Sequence, residues 1–182
     1  MDSLRGKLLL AGPTLLDPNF RRTVVLIVEH TEEGAMGLVL NRPSTATVGD
    51  AVPDLDWLTE AQERVYVGGP VAPNGVIVLA EWDDPGQAAV LVDDDLGFVP
   101  GEAPDPDQLL NAVRRARVFA GHAGWGPGQL EDELAEEAWI IEPPERPEIF
   151  TDDPDGLWSQ VLRRKGREFA LLSTMPLDPT LN

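Results

Sequence analysis

The sequence contains no cysteine, which excludes disulfides, thiol nucleophiles and cysteine-based metal sites and fits a reducing compartment. Histidine is nearly absent. His30 and His122 are the only two, and they lack the paired spacing of a zinc helix, so no metal is expected. The serines are Ser3, Ser44, Ser159 and Ser173, and none sits in a G-x-S-x-G elbow. Lysine is confined to Lys7 and Lys165, with no Lys-Ser or Lys-Thr after a glycine-rich loop. That excludes a phosphate loop, and no cofactor is expected.

Positive charge is the largest deficit. With 14 basic residues against 32 acidic ones, the formal net charge is -18. Such a surface repels phosphates, so direct nucleic-acid binding is not expected. Long apolar runs are missing as well. The longest uncharged stretch, Val65 to Ala80, is broken by glycines and prolines and falls short of the ~20 apolar residues a membrane helix needs. Leu8 to Leu16 is apolar but interrupted by Pro13, and it is not followed by a small-residue cleavage site. The expectation is a soluble, cytoplasmic protein without a membrane partner.

What is abundant is turn chemistry. The 17 glycines and 17 prolines exceed the usual combined share of about 12%. Spread along all 182 residues, they punctuate many short elements. Lys7 to Leu10, Thr23 to Val28, Met36 to Leu40, Arg64 to Val67 and Val76 to Leu79 read as strands. The second of these (TVVLIV) is apolar throughout, as in a strand covered on both faces.

Helices come later. Asp105-Pro106-Asp107-Gln108 has the signature of a helix start, and the apolar spacing predicts a helix from Pro106 to about Arg115. Arg117 to Gly121 reads as strand, Pro127 opens an acidic helix carrying Leu130 and Leu134, and Trp139 to Ile141 is a strand. Pro143 to Pro154 reads as a loop. A helix through Leu157, Trp158, Val161 and Leu162 then ends near Gly166. Residues 167–182 form a partly extended tail with a strand-like Phe169-Ala170-Leu171-Leu172. Strands first and helices interleaved late point to one α+β domain over 1–182, with a mixed, strongly curved sheet.

Three glycine-bearing stretches carry the chemistry to be weighed. In the first, Glu29-His30 at the end of a strand is a candidate acid/base pair, but neighbouring strand side chains face opposite ways. The plainer reading is that both serve the following turn. The second, Gly68-Gly69-Pro70, could offer amides to an anion or simply form a corner in a curved sheet. The third runs from Ala120 to Leu134 as AGHAGWGPGQLEDEL. There a glycine turn meets the start of a helix whose own acids compensate its dipole. His122 lies in it without a serine or cysteine nucleophile nearby. Gly37 and Gly124 are positions where a positive φ would make a bulky replacement costly.

Taken together and in order, Asp17-Pro18-Asn19-Phe20-Arg21-Arg22, Glu29-His30, Gly34 to Pro43, Gly68-Gly69-Pro70-Val71, Ala123-Gly124-Trp125 and Gly128-Gln129-Leu130-Glu131 resemble the bacterial YqgE/AlgH family. The resemblance spans nearly the whole chain. It implies an α+β domain whose curved sheet closes into a pseudo-barrel with several helices around it, in a cytosolic protein. It implies no particular reaction, although the family often carries a label of transcriptional regulation. Nothing in this chain supplies a recognition helix with a basic face. His122 stands where the family pattern has Tyr, and Asn74-Gly75 where it often has Arg-Gly.

The functional expectation is a non-enzymatic binding or regulatory module for a small anionic ligand or a protein partner. The groove residues would be Arg22, Asn41, Arg42, Gly68, Gly69, Gly124, Trp125 and Gln129. The alternative is an enzyme acting on a small molecule through Glu29, His30 and His122 as acid/base groups. At least one of Arg22 and Arg42 is expected to pair with a carboxylate, Glu29 or Glu131 being the chosen partners.

Overall fold

The computed structural model describes residues 2–102 and 105–176. Among them are ten strands and six helices. The strands are β1 (Leu8–Ala11), β2 (Val24–Thr31), β3 (Gly34–Val39), β4 (Pro43–Thr47), β5 (Arg64–Val67), β6 (Val71–Trp82), β7 (Val90–Asp93), β8 (Leu96–Phe98), β9 (Val113–Trp125) and β10 (Trp139–Glu142). The helices are α1 (Val48–Ala51), α2 (Pro106–Ala112), α3 (Gln129–Ala135), α4 (Arg146–Ile149), α5 (Leu157–Lys165) and α6 (Arg167–Leu172).

The strands form one mixed sheet in the order β10-β1-β2-β3-β9-β6-β8-β7, with β5 beside β9 and β4 beside β5. Every pair is antiparallel except β5 with β9. This is an α+β fold whose sheet is not closed, since the terminal strands β10 and β7 do not pair with each other, so the expected pseudo-barrel is not confirmed. The free side of β10 is occupied instead. Lys165 at the end of α5 donates its Nζ to the Ile141 carbonyl at 3.0 Å, satisfying part of an edge that would otherwise invite another strand.

The apolar β2 strand is buried on both faces, as its sequence indicated. Val24, Leu26 and Val28 join Leu8 and Leu10 on one side, under Leu157, Trp158, Val161 and Leu162 of α5. Val25 and Ile27 join Leu9, Trp125, Leu130 and Trp139 on the other, under α3. Each such side chain contributes about 1.5–3 kcal/mol on leaving water. The two helices therefore clamp the sheet between two apolar layers.

Three local expectations are corrected by tertiary pairing. The helix expected to about Arg115 stops at Ala112, because Val113 pairs with Trp82 and Arg115 with Glu81. The strand expected to end at Gly121 runs on to Trp125, so the stretch Gly121 to Trp125 is ladder rather than turn. The strand-like Phe169 to Leu172 is helical, with Phe169 and Leu172 one turn apart against the core. Within the expected loop, Glu145 and Glu148 form a capping box that starts the single turn of α4. The tail beyond residue 176 lies outside the described residues.

Candidate functional site

β9 changes partners along its length, and that change positions every glycine stretch singled out above. From Val113 to His122 it pairs with β6, and residues 123–125 pair with β3. At the switch Gly121 takes φ 73°. A Cβ there would lie 2.4 Å from the Gly69 carbonyl oxygen, and one on Gly68 would lie 2.3 Å from the Gly121 oxygen. A Cβ on Gly69, at φ 151°, would meet the His122 carbonyl carbon at 2.2 Å. Gly68 and Gly69 thus allow two backbones to cross at a distance only glycine permits. Gly37 and Gly124 have no positive φ. Gly37 is small because Val25 and Trp125 crowd it, and Gly124 is exposed.

His30 has both ring nitrogens engaged. Nδ1 accepts the Leu4 amide at 3.0 Å, which leaves the proton on Nε2 to be donated to Glu131 Oε1 at 2.7 Å. Its side chain is 5% exposed, so the pair fastens α3 and the N-terminal segment to β2. The bond from His30 holds the Glu131 carboxyl below its ordinary range. Glu29 is exposed and lies opposite Met36, whereas His30 lies opposite Ala35. His122 bonds through Nδ1 to the Ala123 carbonyl at 3.0 Å. No described cavity is lined by two of these three residues. Among the described residues no group of His, Asp and Glu could hold a metal ion.

Trp125 and Gln129 converge on one carboxylate. Glu133 accepts the indole N–H of Trp125 at 2.7 Å and that of Trp139 at 2.9 Å, and its other oxygen accepts Gln129 Nε2 at 3.1 Å. Phe20 closes the aromatic cluster, with ring centroids 5.8 Å from Trp139 and 6.4 Å from Trp125. Buried indoles need an acceptor, and Glu133 is the one this packing supplies.

The arginines behave differently from expectation. Arg42 donates to the carbonyls of Pro18 at 3.1 Å and Arg21 at 2.7 Å. Arg22 bonds the Met175 carbonyl and lies 4.8 Å over the Trp158 ring. Among the described residues neither reaches a carboxylate; Glu131 is held by His30. The physical reason is that the turn 17–23 leaves carbonyls without ladder partners, and a guanidinium fork satisfies two at once. Burial, then the neighbouring Arg21 charge, lowers the Arg42 pKa from its ordinary value. Asn41 completes the clamp. Its side chain accepts from the Val24 amide at 3.0 Å and donates to the Arg22 carbonyl at 2.9 Å.

An apolar groove of about 510 Å³ was not foreseen from the sequence. Met36, Leu55, Ile77, Phe98 and Pro100 form part of its lining, with Asp54 beside Leu55. Its walls come from four separated segments, of which the sequence marked only Met36 to Leu40 and Val76 to Leu79, as strands. Asp54 is the one charged residue in its lining.

Comparison with known proteins gives a consistent result. A family model described as AlgH-like matches residues 8–170. The chain is 45% identical over 188 residues to a UPF0301 protein of Streptomyces coelicolor, covering 100% of this chain and 97% of that protein. It is 42% identical over 192 residues to one from Thermobifida fusca, covering 99% and 96%. A crystal structure of a Corynebacterium diphtheriae protein superposes with TM-score 0.86 at 28% identity, over 96% of this chain and 93% of that one. The solution structure of the AlgH protein from Pseudomonas aeruginosa gives 0.68 at 30% identity, over 97% of each.

Proposed function

The chain belongs to the AlgH-like family, and from that premise we propose that it is a cytoplasmic, non-enzymatic binding module whose groove accepts an apolar segment of a basic partner protein. The observation that carries this reading is the groove itself: about 510 Å³, lined by Met36, Val52, Leu55, Ile77, Phe98 and their neighbours, with no cation in its wall. Concave apolar surface of this size is the ordinary basis of ligand recognition.

The charge balance supports the partner's sign. At -18, two copies of this chain repel, whereas a cationic segment is attracted and steered toward Asp54 in the groove lining. A regulatory role then acts through a protein rather than DNA. Of the basic residues ending α5, Arg164 and Lys165 are tied to Glu142 and Glu148.

The other two readings find less support. A small anion at Arg22, Asn41 and Arg42 would have to share both guanidinium groups with the backbone carbonyls they already hold. Acid/base chemistry by Glu29, His30 and His122 would require His30 to release the two bonds that hold it.

The test uses short apolar peptides flanked by Lys/Arg or by Asp/Glu, titrated into the protein while the Met36 and Ile77 methyl signals are followed by NMR. The basic peptides should shift those signals saturably, less so at high salt, and Leu55→Glu should weaken them. Equal behaviour of acidic and basic peptides, or shifts elsewhere, would overturn the reading.

A further inference from the structure

A second cavity, about 340 Å³, opens between β5, β9 and the segment after α4. Its lining includes Glu63, Arg64, Tyr66, Arg117 and Asp152. Arg117 rises from the sheet with its guanidinium 4.4 Å over the ring of Tyr66, which is itself buried. Nη1 donates to the Thr151 carbonyl at 2.7 Å, so the group is held in place at one corner while its remaining donors are uncommitted.

The company these arginines keep is the informative point. Arg114, Arg115, Arg146 and Arg164 all lie within ion-pair distance of carboxylates. Arg22 and Arg42 hold backbone carbonyls, and neither shares a described cavity with a carboxylate. Yet among the described residues Arg117 and Arg64 have no carboxylate within 4.0 Å, although Glu63 and Asp152 line the same pocket. Glu63 and Asp152 are equally without cationic partners at that distance. Burial holds the Glu63 carboxyl above its ordinary range; Arg117 pulls it down, while Glu60 and Asp152 push it further up. Two cations and two anions thus face one cavity without neutralising one another.

We infer that this pocket binds a small zwitterion of the free amino acid or dipeptide class, its carboxylate on Arg117 and Arg64 and its ammonium on Glu63 and Asp152. The pre-oriented Arg117 fork matches a carboxylate in two-point fashion. An ammonium group relieves the repulsion between the crowded acids. Tyr66, beneath the Arg117 guanidinium, keeps that group at the pocket wall. The volume sits at the small end of the roughly 300–1,000 Å³ range of ligand pockets, which suits a ligand of this size. The site is separate from the apolar groove, and its test does not depend on that reading.

The experiment titrates the isotopically labelled protein with each standard amino acid and with glycylglycine, up to millimolar concentration, following the amides of Tyr66, Arg117 and Thr151. At least one zwitterion should shift them saturably while Met36 and Ile77 stay still. Its N-acetyl and methyl-ester derivatives should bind at least about tenfold more weakly, the loss of one charge-assisted bond. Arg117→Met should abolish the shifts in a folded protein; should that variant fail to fold, Arg64→Met and Glu63→Gln carry the same comparison. No saturable shift with any of the zwitterions, equal binding of the blocked derivatives, or full binding by the Arg64→Met and Glu63→Gln variants would each overturn the inference.

Discussion

His30 in β2 and Glu131 in α3 are 101 residues apart in the chain and share a hydrogen bond of 2.7 Å. The imidazole is the donor because its other nitrogen is occupied by the Leu4 amide. One side chain therefore joins the N-terminal segment, the sheet and the helix over its far face.

Replacing His30 with Ala strands a buried amide and an acceptor together, and should lower unfolding free energy by about 1–3 kcal/mol. The acid side of the pair has its own signature. Because the folded Glu131 carboxyl lies below its unfolded value of about 4.3, its contribution is fully present above that pH and lost as pH falls through the folded value. Urea titrations of wild type and Glu131→Gln should therefore show their full gap above about pH 4.3 and converge as pH falls below it. A constant gap across that range would show that the His30 bond does not hold the carboxylate.

The glycine crossing predicts a sharp contrast between neighbours. Gly69→Ala must force a Cβ into the His122 backbone and should cost more than about 3 kcal/mol, enough to prevent accumulation of folded protein. Gly124→Ala meets Val71 Cγ2 at 3.5 Å and His122 Cε1 at 3.9 Å, both ordinary contacts, and should change stability by about 0.5 kcal/mol or less. Thermal melts of the two variants compare them directly. Equal melting temperatures would remove the close-approach explanation.

For Arg42 the outcome separates a clamp from a ligand site. Arg42→Met leaves the Pro18 and Arg21 carbonyls without their donor and should destabilise by about 1–3 kcal/mol in ligand-free buffer. If the melting temperature is unchanged, the guanidinium is not holding the turn.

Glu81 is 3% exposed and accepts from Arg114 at 2.7 Å and Arg115 at 3.0 Å, with Arg146 Nε at 3.9 Å. Glu81→Leu removes the only buried anion among three cations and should cost about 3–5 kcal/mol. Arg114→Met, at an exposed position, should cost no more than about 1 kcal/mol. Denaturant midpoints of the two variants check the order, and a reversal would mean that the arginines tolerate the loss of Glu81.

The residues themselves announced much of the scaffold. TVVLIV could only be a strand buried on both sides, because no position in it tolerates water. Asp105-Pro106 began a helix where its side chain could cap the Asp107 and Gln108 amides. The motifs from Asp17 to Glu131 carried the family. Of the residues in them, Asn41, Arg42, Trp125 and Gln129 fasten turns and helices.

What needed the tertiary structure is whatever depends on partners remote in sequence. Val113 to Arg115 has helical spacing, yet it is strand because β6 pairs Val113 with Trp82 and Arg115 with Glu81 across a register shift and half-buries Val113 in the Trp82 cluster. Phe169 to Leu172 has strand composition, yet it is helix because that period brings Phe169 and Leu172 onto the core together. The separation of Glu29 from His30 follows from strand alternation, which the sequence determined. The pairing of His30 with Glu131, the crossing of Gly69 over His122 and both cavities were decided by folding alone. Each joins segments whose approach is set by burial of the whole sheet, and no local pattern encodes that distance.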